Sequence, residues 1–207
     1  MSTQQHAAED FVWAQDDSVA ATPGLTPSQT VGPFFHDALP YPEGPDVAGA
    51  DRPGTITLAG RVLDGAGDPI PDALVEIWQA DENGTFVEAP GIYAEVSPTG
   101  FRGFGRCATD TDGGYRFRTV RPAAVPTADG RPQAPHIAMS VFARGMLRRL
   151  VTRVYLPEGA HGSDPLLDAL PATRRDTLVA VATEDGYRFD VHMQGERETV
   201  FLDVFAR

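Results

Sequence analysis

The chain has 207 residues, enough for one domain with a real core or a domain plus an arm. Hydrophobic residues make up 42% and charged residues 22%, which reads as globular, and 21 glycines with 18 prolines favour a turn-rich all-β fold over a helical one. A formal net charge of −12 argues against nucleic-acid binding, which needs a basic surface.

Residues 1–24 are polar, acidic and without periodicity, and read as a loose arm. Phe11 and Trp13 are the exceptions and suit docking on a neighbour. The start, MSTQQHAAEDF, has no basic segment followed by an apolar run, so no signal peptide is expected. With no run of 18 apolar residues, no membrane span is expected, and a cytoplasmic location is the default. Residues 25–54 contain Pro27, Pro33, Pro40, Pro42, Pro45 and Pro53, which prevent long helices and interior strands. This divides the chain into an arm and extended wrap over 1–54 and a β-sandwich domain over 55–207.

From Thr55 the pattern becomes β-like. Thr55–Leu63 reads as a strand, with Asp64–Gly67 a turn. Ala73–Gln79 alternates, and Asp81–Gly84 turns again. Thr109–Gly114 (TDTDGG) is a strong turn before the alternating Tyr115–Val120. His136–Arg144 and Leu150–Leu156 follow as strands. Asp164–Leu170 and Ala172–Ala182 suit a short helix and further extended chain. Tyr187–Met193 and Thr199–Val204 read as closing strands around a turn at Gln194–Glu198. The expected fold is a β-sandwich of mixed and antiparallel strands, with an extended N-terminal arm and short helices in the connections. The single cysteine, Cys107, rules out an internal disulfide and a cysteine-based zinc site, and suits filling of core space.

The run Ala134–Gly145 (APHIAMSVFARG) carries the most chemistry. Residues two apart in a strand share a face, so a His-x-His pair would aim two imidazoles at one ion. Here the pair is His136 and Ala138. The other tyrosines (Tyr41, Tyr93, Tyr115, Tyr155, Tyr187) and histidines (His6, His36, His161, His192) show no ligand spacing with His136. No G-x-S-x-G elbow, P-loop or dinucleotide fingerprint is present.

Four stretches, in order and spacing, resemble the intradiol ring-cleavage dioxygenases: Thr26–Pro33 (TPSQTVGP), Ala73–Asp81 (ALVEIWQAD), His136–Gly145 (HIAMSVFARG) and Tyr187–Phe201 (YRFDVHMQGERETVF). The resemblance covers about Leu25 to Phe205. It implies a two-subunit enzyme in which a β-type chain binds Fe(III) through two Tyr and two His, while a related α-type chain lacks most ligands. The family's ligand positions fall here on Phe86, Val125, His136 and Ala138. Phe lacks the phenol oxygen, and Val and Ala offer no donor, so no metal is expected in this chain. His136 then reads as a buried, hydrogen-bonded residue.

The resemblance also implies that this chain lines a shared pocket with Thr30, Gly32, Pro33 and Arg144. The hydroxyl of Thr30 can hydrogen-bond, Gly32 lets backbone approach a planar ring, Pro33 offers a rigid apolar face, and Arg144 is a permanent charge near an anionic aromatic acid. On residue chemistry alone, Gln29–Pro33 reads equally as a turn in the wrap, and Arg144 as a surface charge before Gly145. Arg148, Arg149 and Arg153 are the next cations, suited to interface or solvent ion pairs. The implied reaction is O2-dependent cleavage of protocatechuate to 3-carboxy-cis,cis-muconate, catalysed only with the β-type partner, in a higher oligomer of αβ units. The other reading is a non-catalytic β-sandwich ligand-binding module.

Overall fold

Three Asp-x-x-Gly turns space the strands. Asp64, Asp81 and Asp110 each stand three residues before a glycine of positive φ: Gly67 (91°), Gly84 (81°) and Gly113 (71°). Each Asp accepts through Oδ1 from two backbone amides of its own turn at 2.8–2.9 Å. The carboxylate replaces solvent for those amides, and glycine alone takes the left-handed backbone without strain.

A computed structural model of the chain describes residues 29–204 apart from 31, 33, 88–95 and 161–162. One helical turn, α1 (Phe35–Ala38), precedes β1 (Thr55–Leu63), β2 (Leu74–Trp78), β3 (Phe104–Ala108), β4 (Gly114–Val120), β5 (His136–Phe142) and β6 (Leu150–Tyr155). Short α2 (Pro165–Ala169) and α3 (Ala172–Arg175) lead into β7 (Val181–Thr183), β8 (Gly186–Arg188) and β9 (Val191–His192). One sheet has the order β4-β1-β8-β7, with β9 also on β1; the other has the order β3-β2-β5-β6. β1 runs antiparallel to β4 and parallel to β8 and β9, while the second sheet is antiparallel throughout. The expected mixed β-sandwich is therefore the fold.

The inner faces of the two sheets close over one core. Leu58, Val62 and Phe117 come from the first sheet, and Val75, Ile77, Ile137, Met139, Val141 and Val154 from the second. Each such side chain contributes about 1.5–3 kcal/mol by leaving water. Gln79 joins the sheets across this core: its amide donates to the Val120 carbonyl at 2.9 Å and accepts from the Thr119 hydroxyl at 2.7 Å. A buried amide costs free energy unless bonded in this way. Cys107 packs against the same core, and burial pushes its thiol pKa up.

The wrap is fastened by arginines. Arg106 forks onto Glu76 at 2.6 and 2.8 Å and donates to the Leu39 carbonyl at 2.9 Å. Arg102 donates to the Glu43 and Gly44 carbonyls, and Arg118 pairs with Asp46 at 3.1 Å. A planar fork suits these fixed acceptors better than an ammonium.

Three details differ from the expectations. Phe104–Ala108 is a strand that the sequence pattern does not single out; pairing with β2 over five residues makes it one despite Gly105. Tyr187–Met193 splits into β8 and β9, because the Asp190 carboxylate takes the Arg61 amide at 3.0 Å in place of a ladder bond. Thr199–Val204 is not a strand, because threonine hydroxyls occupy the backbone groups there: Thr152 donates to the Val200 carbonyl at 2.7 Å, and Thr177 accepts from the Val200 amide at 3.2 Å. Among the described residues, no helix is long and apolar enough to cross a membrane.

Candidate functional site

β5 buries Ile137, Met139 and Val141 in the core, which turns His136, Ala138, Ser140 and Phe142 to the outer face of its sheet. The candidate residues divide between the two ends of that face.

The His136 end gathers the four positions where the resemblance expects ligands. Phe86 stacks on Trp78 with ring centroids 6.2 Å apart. Trp78 lies opposite Ala138 on β5, and Ala138 lies opposite Arg153 on β6. With its amide oriented to satisfy both ends, Gln133 accepts from the Arg153 terminal nitrogens at 3.0 and 3.1 Å and donates to the Val125 carbonyl at 3.2 Å. His136 holds the Ala134 carbonyl through Nδ1 at 2.9 Å, with its ring 5.7 Å from that of Tyr155. Burial, with the Arg153 charge adding to it, keeps His136 below the ordinary imidazole pKa. Burial likewise raises the Tyr155 phenol to about 12.

These residues do not fit a ferric ion. Phe86, Val125 and Ala138 carry no donor atom, which leaves Nε2 of His136 as the one side-chain donor of the four, too few to hold Fe(III). Among the described residues, no group of three or more His, Cys, Asp or Glu could hold a metal ion. Trp78 and Phe86 are about half exposed, so this end presents an aromatic surface instead.

The Phe142 end carries the arm and Arg144. Phe35 packs on Phe142 with centroids 6.5 Å apart, which seats the chain following Gly32 beside the end of β5. Gly32 has φ 72° and donates to the Thr30 hydroxyl at 3.3 Å. A Cβ at Gly32 would touch nothing among the described residues, whereas its positive φ by itself calls for glycine here. Arg144 is anchored through Nε to Asp72 at 2.9 Å, yet its side chain remains 66% exposed. Phe34 and Leu147 are also exposed at this end. Pro33, Tyr93, His6 and His161 lie outside the described residues.

The structure thus groups Phe86, Val125, His136 and Ala138 at one end, and sets Gly32 and Arg144 near the other. His136 is hydrogen-bonded as expected, but half-buried rather than buried. Arg153 differs from its expected place among surface ion pairs. It lies mostly covered among Gln133, Tyr155 and the fully buried Asp164, whose Oδ2 is 3.8 Å from Nη1. Gln133 and Arg153 were not visible as a pair in the sequence; the signal was that both fall close to His136 once strand register is known.

A fold of this kind, with these outer-face positions, defines a class. The dioxygenase family model matches residues 31–195, and the chain belongs to that family, as an intradiol ring-cleaving member. The alpha chain of protocatechuate 3,4-dioxygenase from Burkholderia cepacia is 42% identical over 198 residues, 86% of this chain and 97% of that one. The beta chain of the same enzyme is 36% identical over 156 residues, covering 70% of this chain and 66% of that one. Among solved structures, the dioxygenase domain of a carbohydrate-binding fusion from Streptomyces sp. SirexAA-E superposes with TM-score 0.53 at 26% identity, covering 82% of this chain and 98% of that one.

Proposed function

We propose that this chain is the iron-free α-type subunit of an intradiol dioxygenase that cleaves protocatechuate with O2 to 3-carboxy-cis,cis-muconate. The observation that carries the reading is a pairing: nearly full-length similarity to an alpha chain, with no donor at Phe86, Val125 and Ala138. In this reading the redox chemistry belongs to Fe(III) on a homologous β-type partner.

This chain then shapes the shared pocket. Thr30 offers a hydroxyl, Gly32 an open backbone, Pro33 a rigid face, and Arg144 a charge for the ring carboxylate. Asp72 fixes Arg144 through Nε, which supports the role by orienting the guanidinium before substrate arrives. The exposed Phe34 and Leu147 beside it suit the apolar centre of an obligate interface larger than ~2,000 Å². The arm and wrap over 1–54 belong to that interface in this proposal, and a cytoplasmic location fits a chain with one cysteine. A free-standing binding module gains nothing from any of these observations.

The test is reconstitution. The chain and the adjacent candidate partner are purified separately and together, and O2 uptake with protocatechuate is followed. Activity only in the mixture is expected; undiminished activity of the partner alone would remove this chain from the pocket.

A further inference from the structure

We infer that Arg153 fills the place of the missing metal, so that this chain is closed to iron by a built-in cation as well as by lost ligands. The inference rests on reading Phe86, Val125, His136 and Ala138 as former ligand positions.

The geometry is specific. Arg153 stands directly across the sheet from Ala138, on the same outer face. Its terminal nitrogens bind the Gln133 amide, which in turn holds the backbone of Val125. The side chain is only 22% exposed. His136 connects to the same guanidinium through Tyr155, whose ring lies 5.7 Å from the imidazole and whose hydroxyl accepts from Arg153. Three of the four positions are therefore linked to one permanent positive charge, Ala138 by register, Val125 through Gln133 and His136 through Tyr155. Phe86, the fourth, reaches the same group through Trp78, the neighbour of Ala138.

The remaining contacts hold the guanidinium in position. The Tyr155 hydroxyl accepts from Nη1 at 3.4 Å. Asp164, fully buried, supplies counter-charge at 3.8 Å while its Oδ1 caps α2 through the Leu166 amide at 2.8 Å, and its Oδ2 holds the Ala134 amide at 3.1 Å. Ala134 also receives the His136 ring. Arg153 thus faces, through Asp164, both the strand end and the helix start. A guanidinium never loses its charge at working pH, so it repels any cation that approaches. Restored ligands would meet a cation already in place.

Iron uptake distinguishes the possibilities. The full chain, produced with its partner, is compared as wild type, as the triple variant Phe86→Tyr, Val125→Tyr and Ala138→His, and as that triple with Arg153→Gln. Ferrous salt is added in air. Iron per chain above the wild-type value and a phenolate-to-iron visible band are read. Near-UV circular dichroism checks the fold, with Arg153→Met replacing Arg153→Gln if the latter is not native. The triple variant is expected to gain no iron, and the quadruple variant about one iron per chain. Iron in the triple variant would overturn the role of Arg153 while upholding the ligand positions. No iron in either would overturn the reading of the positions themselves, and the inference with it.

Discussion

The two ends of β5 carry opposite arrangements of charge. At the His136 end the cation, Arg153, is covered, bonded to Gln133 and Tyr155 and balanced by buried Asp164. At the Phe142 end the cation, Arg144, is tethered by one nitrogen to Asp72 and left 66% exposed. One sheet face thus presents a covered cation on β6, opposite Ala138, and an available one just beyond the far end of β5. A saturated charge organises its own chain; an available charge can serve a ligand or partner. The lesson is that the presence of an arginine says little until its acceptors are counted.

The sharpest contrast to test is between neighbours on β5. Ile137 is fully buried and Ala138 is not. Ile137→Ala should cost about 2–5 kcal/mol of stability through transfer and cavity terms, whereas Ala138→Ser should stay within ~0.5 kcal/mol. Denaturant melts of both variants decide this; equal losses would mean that the outer face is packed as tightly as the core.

Next in size is Arg144→Ala in the assembled enzyme. Losing a charge-assisted bond to a ring carboxylate should lower kcat/KM for protocatechuate by about 10–100-fold. Unsubstituted catechol should be affected much less. Equal losses on both substrates would leave Arg144 structural and erase the contrast with Arg153.

A smaller effect is expected at the surface beside Arg144. Phe34→Asp places a charge where an apolar contact is proposed, and should weaken association with the partner by about tenfold. Sedimentation or titration calorimetry reads the change, and an unchanged affinity would move the interface elsewhere.

The smallest effect concerns pH. The pKa of His136 is lowered in the folded state, mainly by burial, so the unfolded chain takes up this proton first. The contribution of His136 is whole above about pH 6.5 and declines as pH falls through that value. Melting temperature should therefore drop on mild acidification, and His136→Gln should flatten the drop. His192, whose pKa is also lowered, adds a term of the same sign that the variant keeps. An identical slope in wild type and variant would show that His136 is not held neutral by its surroundings.

Much of the fold was legible because local chemistry and tertiary structure agree. Asp64, Asp81 and Asp110 announce their turns, and β1, β2, β4, β5 and β6 show their alternation. Phe104–Ala108 was hidden because its pairing with β2, rather than its composition, makes it a strand. Thr199–Val204 has a strand-like pattern but is not a strand, because hydroxyls of Thr152 and Thr177 compete for its backbone groups, which no periodicity reveals. At the site, that Phe86, Val125 and Ala138 carry no donor atom is legible from residue type alone. Arg153 was not. It lies 15 positions after Ala138, and only antiparallel register brings the two face to face.

The central claim is that this chain carries no iron and completes a site whose iron lies on a partner. The most direct measurement is the iron content of each chain after the co-purified complex is separated under mild conditions. Iron recovered with the partner alone, with ring-cleaving activity restored on recombination, is the predicted result. About one iron on this chain, retained in the absence of the partner, would contradict the account.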